Sequence, residues 1–216
     1  MNDWKRWEEP IRQFLANQAA GDVAHDAAHI ERVVASAAAL ASDERADLCI
    51  VLPAAWLHDC VSVAKDSPDR PRASAMAAAT ASDFLAAIGY EAALLPAIAH
   101  AIAAHSFSAQ IAPQTAEAKV VQDADRLDSL GAIGVARCLM LGGALGRQLY
   151  HPDAPFPSAP PPAGRAPDDT AYTIDHFYVK LLHLADTMQT AAGRREATRR
   201  TAVMQRYLDD LRRELG

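Results

Sequence analysis

The chain has 216 residues, half of them hydrophobic, and 48 are alanine. Alanine is the strongest helix former and a poor strand residue, so an all-β sandwich or barrel is excluded and closely packed helices are expected. Its 27 acidic against 21 basic side chains give a net charge of −6, which argues against non-specific duplex binding but not against a local positive pocket for a small anion.

Charged residues at 22% exclude a wholly disordered chain. No apolar run reaches the ~18 residues that span a bilayer, and the opening Met-Asn-Asp-Trp-Lys-Arg carries no apolar signal core. The three cysteines, Cys49, Cys60 and Cys138, form no CxxC pair. Together these features predict a reduced, cytoplasmic protein without a disulfide framework or a membrane partner.

In chain order, Trp4, Trp7, Ile11, Phe14 and Leu15 recur at helical spacing and open the fold. A second helix is predicted over 25–42, with Ile30, Val33, Val34, Ala37 and Leu40 apolar. A third, over 44–59, is apolar nearly all round and therefore central, with Pro53 in its first turns or kinking it. An alanine-rich helix over 71–88 stops at Gly89, a C-cap residue. Helices follow over 91–105, 114–128 and 130–141, the last ending at Gly142-Gly143. Seven of the thirteen prolines fall between Tyr150 and Asp168, which predicts a long loop over 150–170, either a lid or a crossover. Two long helices, 171–191 and 194–214, close the chain. The expectation is an all-α, single-domain fold of about nine helices, with its core over 20–142.

The chemistry lies in the eight histidines and their acidic neighbours. His58-Asp59 ends the most apolar helix, where an aspartate needs a partner or a cation. His25 and His29 stand four apart on one helical face. Gln122-Asp123-Ala124-Asp125-Arg126-Leu127-Asp128 places three carboxylates in six residues: Asp123 suits a cap, Asp125 a ligand, and Asp128 a pair with Arg126 or Arg32. Two imidazoles and two carboxylates suit a divalent cation of intermediate softness, which lowers the pKa of a bound water and polarises a phosphoryl oxygen.

These segments resemble the HD-domain metal-dependent phosphohydrolase superfamily, and in particular its stand-alone bacterial members. The likeness is carried by His25-Asp-x-x-His29-Ile-x-Arg32-Val, Trp56-Leu-His58-Asp59, Lys65-Asp-Ser-Pro-x-Arg70, His105-Ser-Phe-Ser, Gln122 to Asp128 and Gly131 to Arg137. It continues through Leu149-Tyr150, Asp175-His176-Phe177-Tyr178 and Met188-Gln189-Thr190, covering about 20–205. The resemblance implies a single divalent metal ion (Mn, Ni, Fe, Co, Zn or Mg) held by His29, His58, Asp59 and Asp125. His25-Asp26 is then a decoy pair, with His25 retained as a substrate contact.

It also implies hydrolysis of a nucleotide or related phosphate by a metal-bound water, with nucleoside triphosphate pyrophosphohydrolysis as the leading reaction. A nucleotide monophosphatase, a cyclic-nucleotide phosphodiesterase and a silent metal- or nucleotide-binding sensor are the alternatives. Lys65, Arg70 and His105 are the expected phosphate contacts, and Asp59 or Asp128 the expected general base. His100 and His105 would enter the ligand set only in a dinuclear site. Gly142, Gly143 and Gly146 lack the lysine spacing of a phosphate-cradling loop. The arginines around 194–200 are read as a solvated helix face, and the protein as a monomer or homodimer.

Overall fold

The computed structural model describes residues 4–17, 27–61, 63, 67, 69–106, 109–157 and 165–216. Nine α-helices are found among them: α1 (Lys5–Ala16), α2 (Ala27–Glu44), α3 (Leu48–Leu57), α4 (Ala73–Ala87), α5 (Leu95–His105), α6 (Ala116–Leu127), α7 (Gly131–Ala144), α8 (Asp175–Val179) and α9 (Ala191–Leu215). Two 3₁₀ segments, Arg70–Arg72 and Leu181–Thr187, complete the helical set. The described residues contain no strand, only an isolated bridge between Gln148 and Tyr172. None of their helices is by itself long and apolar enough to cross a membrane.

The described residues gather into two compact units, one from 1–125 and 189–193, the other from 126–188 and 194–216. In the first unit α3 is the axis. Every residue from Cys49 to Leu57 is buried, as its all-round apolar sequence requires. Asp47 starts the helix, its carboxylate accepting from the Cys49 amide at 2.8 Å. Pro53 lies inside α3 and has no amide to offer the carbonyl of Cys49, four residues earlier. The Tyr90 hydroxyl fills that position, donating to Cys49 O at 2.6 Å. A helix-breaking residue is thus accommodated by one side chain from beyond α4.

The remaining helices of the unit close around this axis. α1 buries Ile11, stacks Phe14 on Phe84 of α4 at 4.0 Å, and lays Arg12 over Trp56 of α3 while bonding Glu31 of α2. α4 ends at Ala87 with Ile88 as its C-cap, and Gly89 just beyond takes the left-handed φ of +80° that its position predicts.

Two expectations are corrected in the second unit. α7 runs past Gly142-Gly143 to Ala144, and the positive φ that follows it belongs to Gly146. Gly142 answers to packing instead, because a Cβ there would stand 2.1 Å from Thr173 Oγ1. The single helix expected over 171–191 is the short α8 followed by a 3₁₀ segment, broken where Lys180 leaves helical geometry at φ −136°, ψ −57°. α9 then starts at Ala191, three residues earlier than the periodicity indicates. Thr190 caps it, its hydroxyl accepting from the Gly193 amide at 2.9 Å. Residues 158–164 of the proline-rich loop lie outside the described residues, and no helix occurs in the described remainder of 150–170.

Candidate metal centre

Four helix ends of the first unit supply the site. His29 stands in the first turn of α2, His58 at the C-cap of α3, His105 at the last position of α5 and Asp125 in the last turn of α6. His29, His58 and His105 are buried. The carboxylates of Asp59 and Asp125 keep 22% and 29% of their surface, so the cluster is closed on the imidazole side and open on the carboxylate side.

One ligand atom from each of His29, His58 and Asp125 lies within 4.8 Å of the others, and the same holds for His58, Asp59 and His105. Asp125 Oδ1 is 3.6 Å from His29 Nε2 and 3.9 Å from His58 Nε2. Asp59 turns Oδ2 to His58 Nε2 at 3.5 Å and Oδ1 to His105 Nε2 at 3.4 Å. The His58 ring meets those of His29 and His105 edge-on, at 5.5 and 4.9 Å between centroids.

Backbone carbonyls set the tautomers. His58 Nδ1 lies 2.8 Å from Ala55 O, and His105 Nδ1 lies 2.7 Å from Ile102 O. A carbonyl oxygen only accepts, so each Nδ1 carries the proton and each Nε2 is turned toward the carboxylates. Burial lowers the His58 pKa below the usual imidazole value, against the opposing pull of Asp59. That favours the neutral, ligating form. For His105 burial also opposes charge, but the hydrogen bond to Asp59 and its negative charge prevail and raise the pKa. Cys60, beside Asp59, turns its thiol to Ala77 O at 3.5 Å, and burial and the Asp59 charge push that thiol up to about 12.

A divalent cation fits this donor set. His58 Nε2 is wholly buried with no hydrogen-bond partner in the protein, and such an orphan acceptor is costly unless something fills its lone pair. Imidazole nitrogen with carboxylate oxygen is the ligand mixture of first-row transition ions.

The other sequence candidates fall elsewhere. Asp123 is fully buried, and its carboxylate accepts from the amides of Gln189 and Thr190 and from the Thr190 hydroxyl, at 2.7 to 2.9 Å. It therefore anchors the start of α9. Asp128 belongs to the second unit, where Arg137 pairs with its carboxylate. Arg126 donates to Thr187 O. His100 Nε2 accepts from the Gln114 amide at 3.0 Å. Arg70 opens a 3₁₀ turn and donates to Val63 O at 2.8 Å. Lys65 and the His25-Asp26 pair lie outside the described residues. Sequence reasoning missed Ser74 and Gln122, two buried polar side chains that bond the end of α5. Their one signal is a polar residue on an otherwise apolar helix face.

The HD domain model matches residues 26–130. The Bacillus subtilis protein YpgQ is 34% identical over 209 residues, spanning 95% of this chain and 90% of its own length. The crystal structure of YpgQ in complex with ADP superposes with a TM-score of 0.74 at 32% identity, covering 99% of this chain and 97% of that one. An HD-superfamily hydrolase from Bacillus thuringiensis gives a TM-score of 0.72 at 33% identity over 97% and 96% of the two chains. With its His-Asp pair at the end of a buried helix and a relative matched over nearly its whole length, the chain belongs to the HD-domain phosphohydrolase superfamily.

Proposed function

We propose that this protein is a metal-dependent phosphohydrolase that cleaves a nucleoside triphosphate and releases pyrophosphate. The observation that carries this reading is the convergence of His29, His58, Asp59 and Asp125 around the buried, unbonded Nε2 of His58. These four side chains would hold one divalent cation. When bound, the cation supplies positive charge to a phosphoryl oxygen and lowers the pKa of water. The complex of YpgQ with ADP supports a nucleotide as the substrate class.

The protein's own groups account for positioning and proton transfer. Hydrogen bonds to Ala55 O and Ile102 O fix the rings of His58 and His105, so their Nε2 atoms need no reorientation on binding. Asp59 is assigned the proton-accepting role. Its Oδ1 faces His105 Nε2, so a proton taken at this carboxylate has an imidazole beside it. Asp128, the other candidate base, has its carboxylate engaged by Arg137, which favours Asp59. Lys65 and Arg70 are assigned to phosphate oxygens, where cations neutralise charge, whereas His105, expected there from the sequence, has Nδ1 on Ile102 O and Nε2 toward Asp59.

The test combines metal content by elemental analysis with nucleotide turnover, wild type beside His58→Ala. About one transition ion per chain is expected in the wild type after Mn²⁺ loading, with loss in the variant. Pyrophosphate and the nucleoside monophosphate are the expected products. Orthophosphate release would move the reading to a monophosphatase. Metal binding without turnover across nucleotides would leave a sensor, and no metal uptake would end the proposal.

A further inference from the structure

The last four carbonyls of a helix have no amide partner within it. α5 ends at His105 with no glycine behind it, and Ser106 turns directly into extended geometry at φ −74°, ψ 130°. Three successive carbonyls at this buried end are satisfied by side chains instead. Ile102 O receives His105 Nδ1–H at 2.7 Å, Ala103 O the Ser74 hydroxyl at 2.9 Å, and Ala104 O the Gln122 amide at 2.7 Å. Ser74 comes from α4 and Gln122 from α6, and each is only 3% exposed. The helix end that carries His105 is thus gripped from both neighbouring helices, and on the far side of that imidazole stands Asp59, 3.4 Å from Nε2.

We propose that Ser74 and Gln122 are positioning residues of the metal centre: by bonding the carbonyls of Ala103 and Ala104 they fix the last turn of α5 and hold His105 Nε2 against Asp59. This rests on the proposed function for its effect on turnover, but not for its effect on the imidazole. Neither residue hydrogen-bonds the cluster itself. Both act through His105, so their loss disturbs one histidine of the site and spares His58, whose ring hangs on Ala55 O in another helix.

The experiment uses the full chain with Ser74→Ala and Gln122→Met, each removing one donor at nearly constant volume. Imidazole ¹⁵N spectra of the metal-free protein are the first readout. The His105 resonances, assigned with His105→Ala, are expected to shift in both variants while those of His58 stay in place. Turnover of the Mn²⁺-loaded protein is the second readout, with a loss of about tenfold expected, as for other groups that orient a ligand. That loss should vanish when either substitution is made in a His105→Ala background, because the route through His105 is already gone.

Unmoved His105 resonances in both variants would overturn the proposal, as would a turnover loss that persists in full without His105. If the wild type turns over no nucleotide, the proposed function falls while the imidazole spectra still decide this one. If Gln122→Met does not fold, Ser74→Ala removes only a hydroxyl and carries the same test.

Discussion

Asp175 in the second unit and His58 in the first are both wholly buried polar groups, and the protein satisfies them in opposite ways. Arg165 spans both oxygens of Asp175, and the Asp168 amide adds a further bond at 2.6 Å. The guanidinium also covers the Tyr172 ring at 5.1 Å. Charge, lone pairs and neighbouring aromatic surface are all matched within the protein. At His58 the protein satisfies Nδ1 and leaves Nε2 without a hydrogen bond, facing two carboxylates. Burial is therefore not what marks the site, since Asp123 and Asp175 are as buried as His58. The mark is a buried imidazole nitrogen without a hydrogen bond that faces two carboxylates.

Breaking the open cluster should give the largest effect. His58→Ala is expected to reduce metal affinity at least about 100-fold, removing a direct ligand where outer partners alone cost 10–100-fold. The metal-free protein should also lose about 2–4 kcal/mol, since the truncation leaves a cavity and strands Ala55 O, which His58 Nδ1 serves. Calorimetric Mn²⁺ titration beside urea unfolding checks both halves. Unchanged metal affinity beside that stability loss would mean the ring is a packing element and not a ligand.

Breaking the closed pair should change stability alone. Arg165→Met leaves a buried carboxylate without its cation and is expected to cost about 3–5 kcal/mol of unfolding free energy. Metal affinity should stay as in the wild type. The double variant Arg165→Met, Asp175→Leu should recover much of the loss, because desolvating two charges offsets most of what their attraction contributes. If the double variant were as unstable as the single one, the pair would matter for more than its own charge balance.

Asp123 and Asp125 sharpen the same contrast within one helix turn. Asp123→Ala strands the amides of Gln189 and Thr190 and is expected to cost about 2–4 kcal/mol, with metal affinity little changed per folded molecule. Asp125→Ala should do the opposite, lowering metal affinity without a comparable change in metal-free stability. Urea unfolding and metal titration on both variants separate them, and exchanged outcomes would exchange the two assignments.

The sequence made this division only half legible. The helical class followed from alanine content and the 3.6-residue period. The proposed metal set rests on residue type and on likeness to a family, because ligand chemistry admits few side chains. What stayed hidden depends on contacts between residues far apart in the chain. Nothing local says that Tyr90 will serve the carbonyl Pro53 leaves open, or that Thr190 and Asp123 will start α9 three residues before its apolar period. Gly142 resembled a helix terminator because sequence cannot tell a glycine needed for φ from one needed for close approach to Thr173. For Asp128 the sequence offers Arg126 or Arg32 as partner, and nothing local points to Arg137 of the next helix, which pairs with it.

The smallest expected effect belongs to a pair that is closed but wet. Glu196 binds Arg199 and Arg200 at 2.7 Å, and these cations hold its carboxyl down at about 2. A carboxyl depressed on folding adds stability above its unfolded value near 4.3 and loses it as pH falls toward 2. Arg199 is 67% exposed, however, so solvent screens most of the attraction, and Glu196→Gln should cost about 1 kcal/mol or less at pH 7. The measurable signature is the difference between wild type and variant, which should be constant above pH 5 and shrink steadily between pH 4 and pH 2. Added salt should shrink it as well, whereas the cost of Arg165→Met should be nearly independent of salt, because water and counterions reach one pair and not the other. A cost for Glu196→Gln that ignored both pH and salt would show that this side chain acts by its packing along α9 and not by its charge.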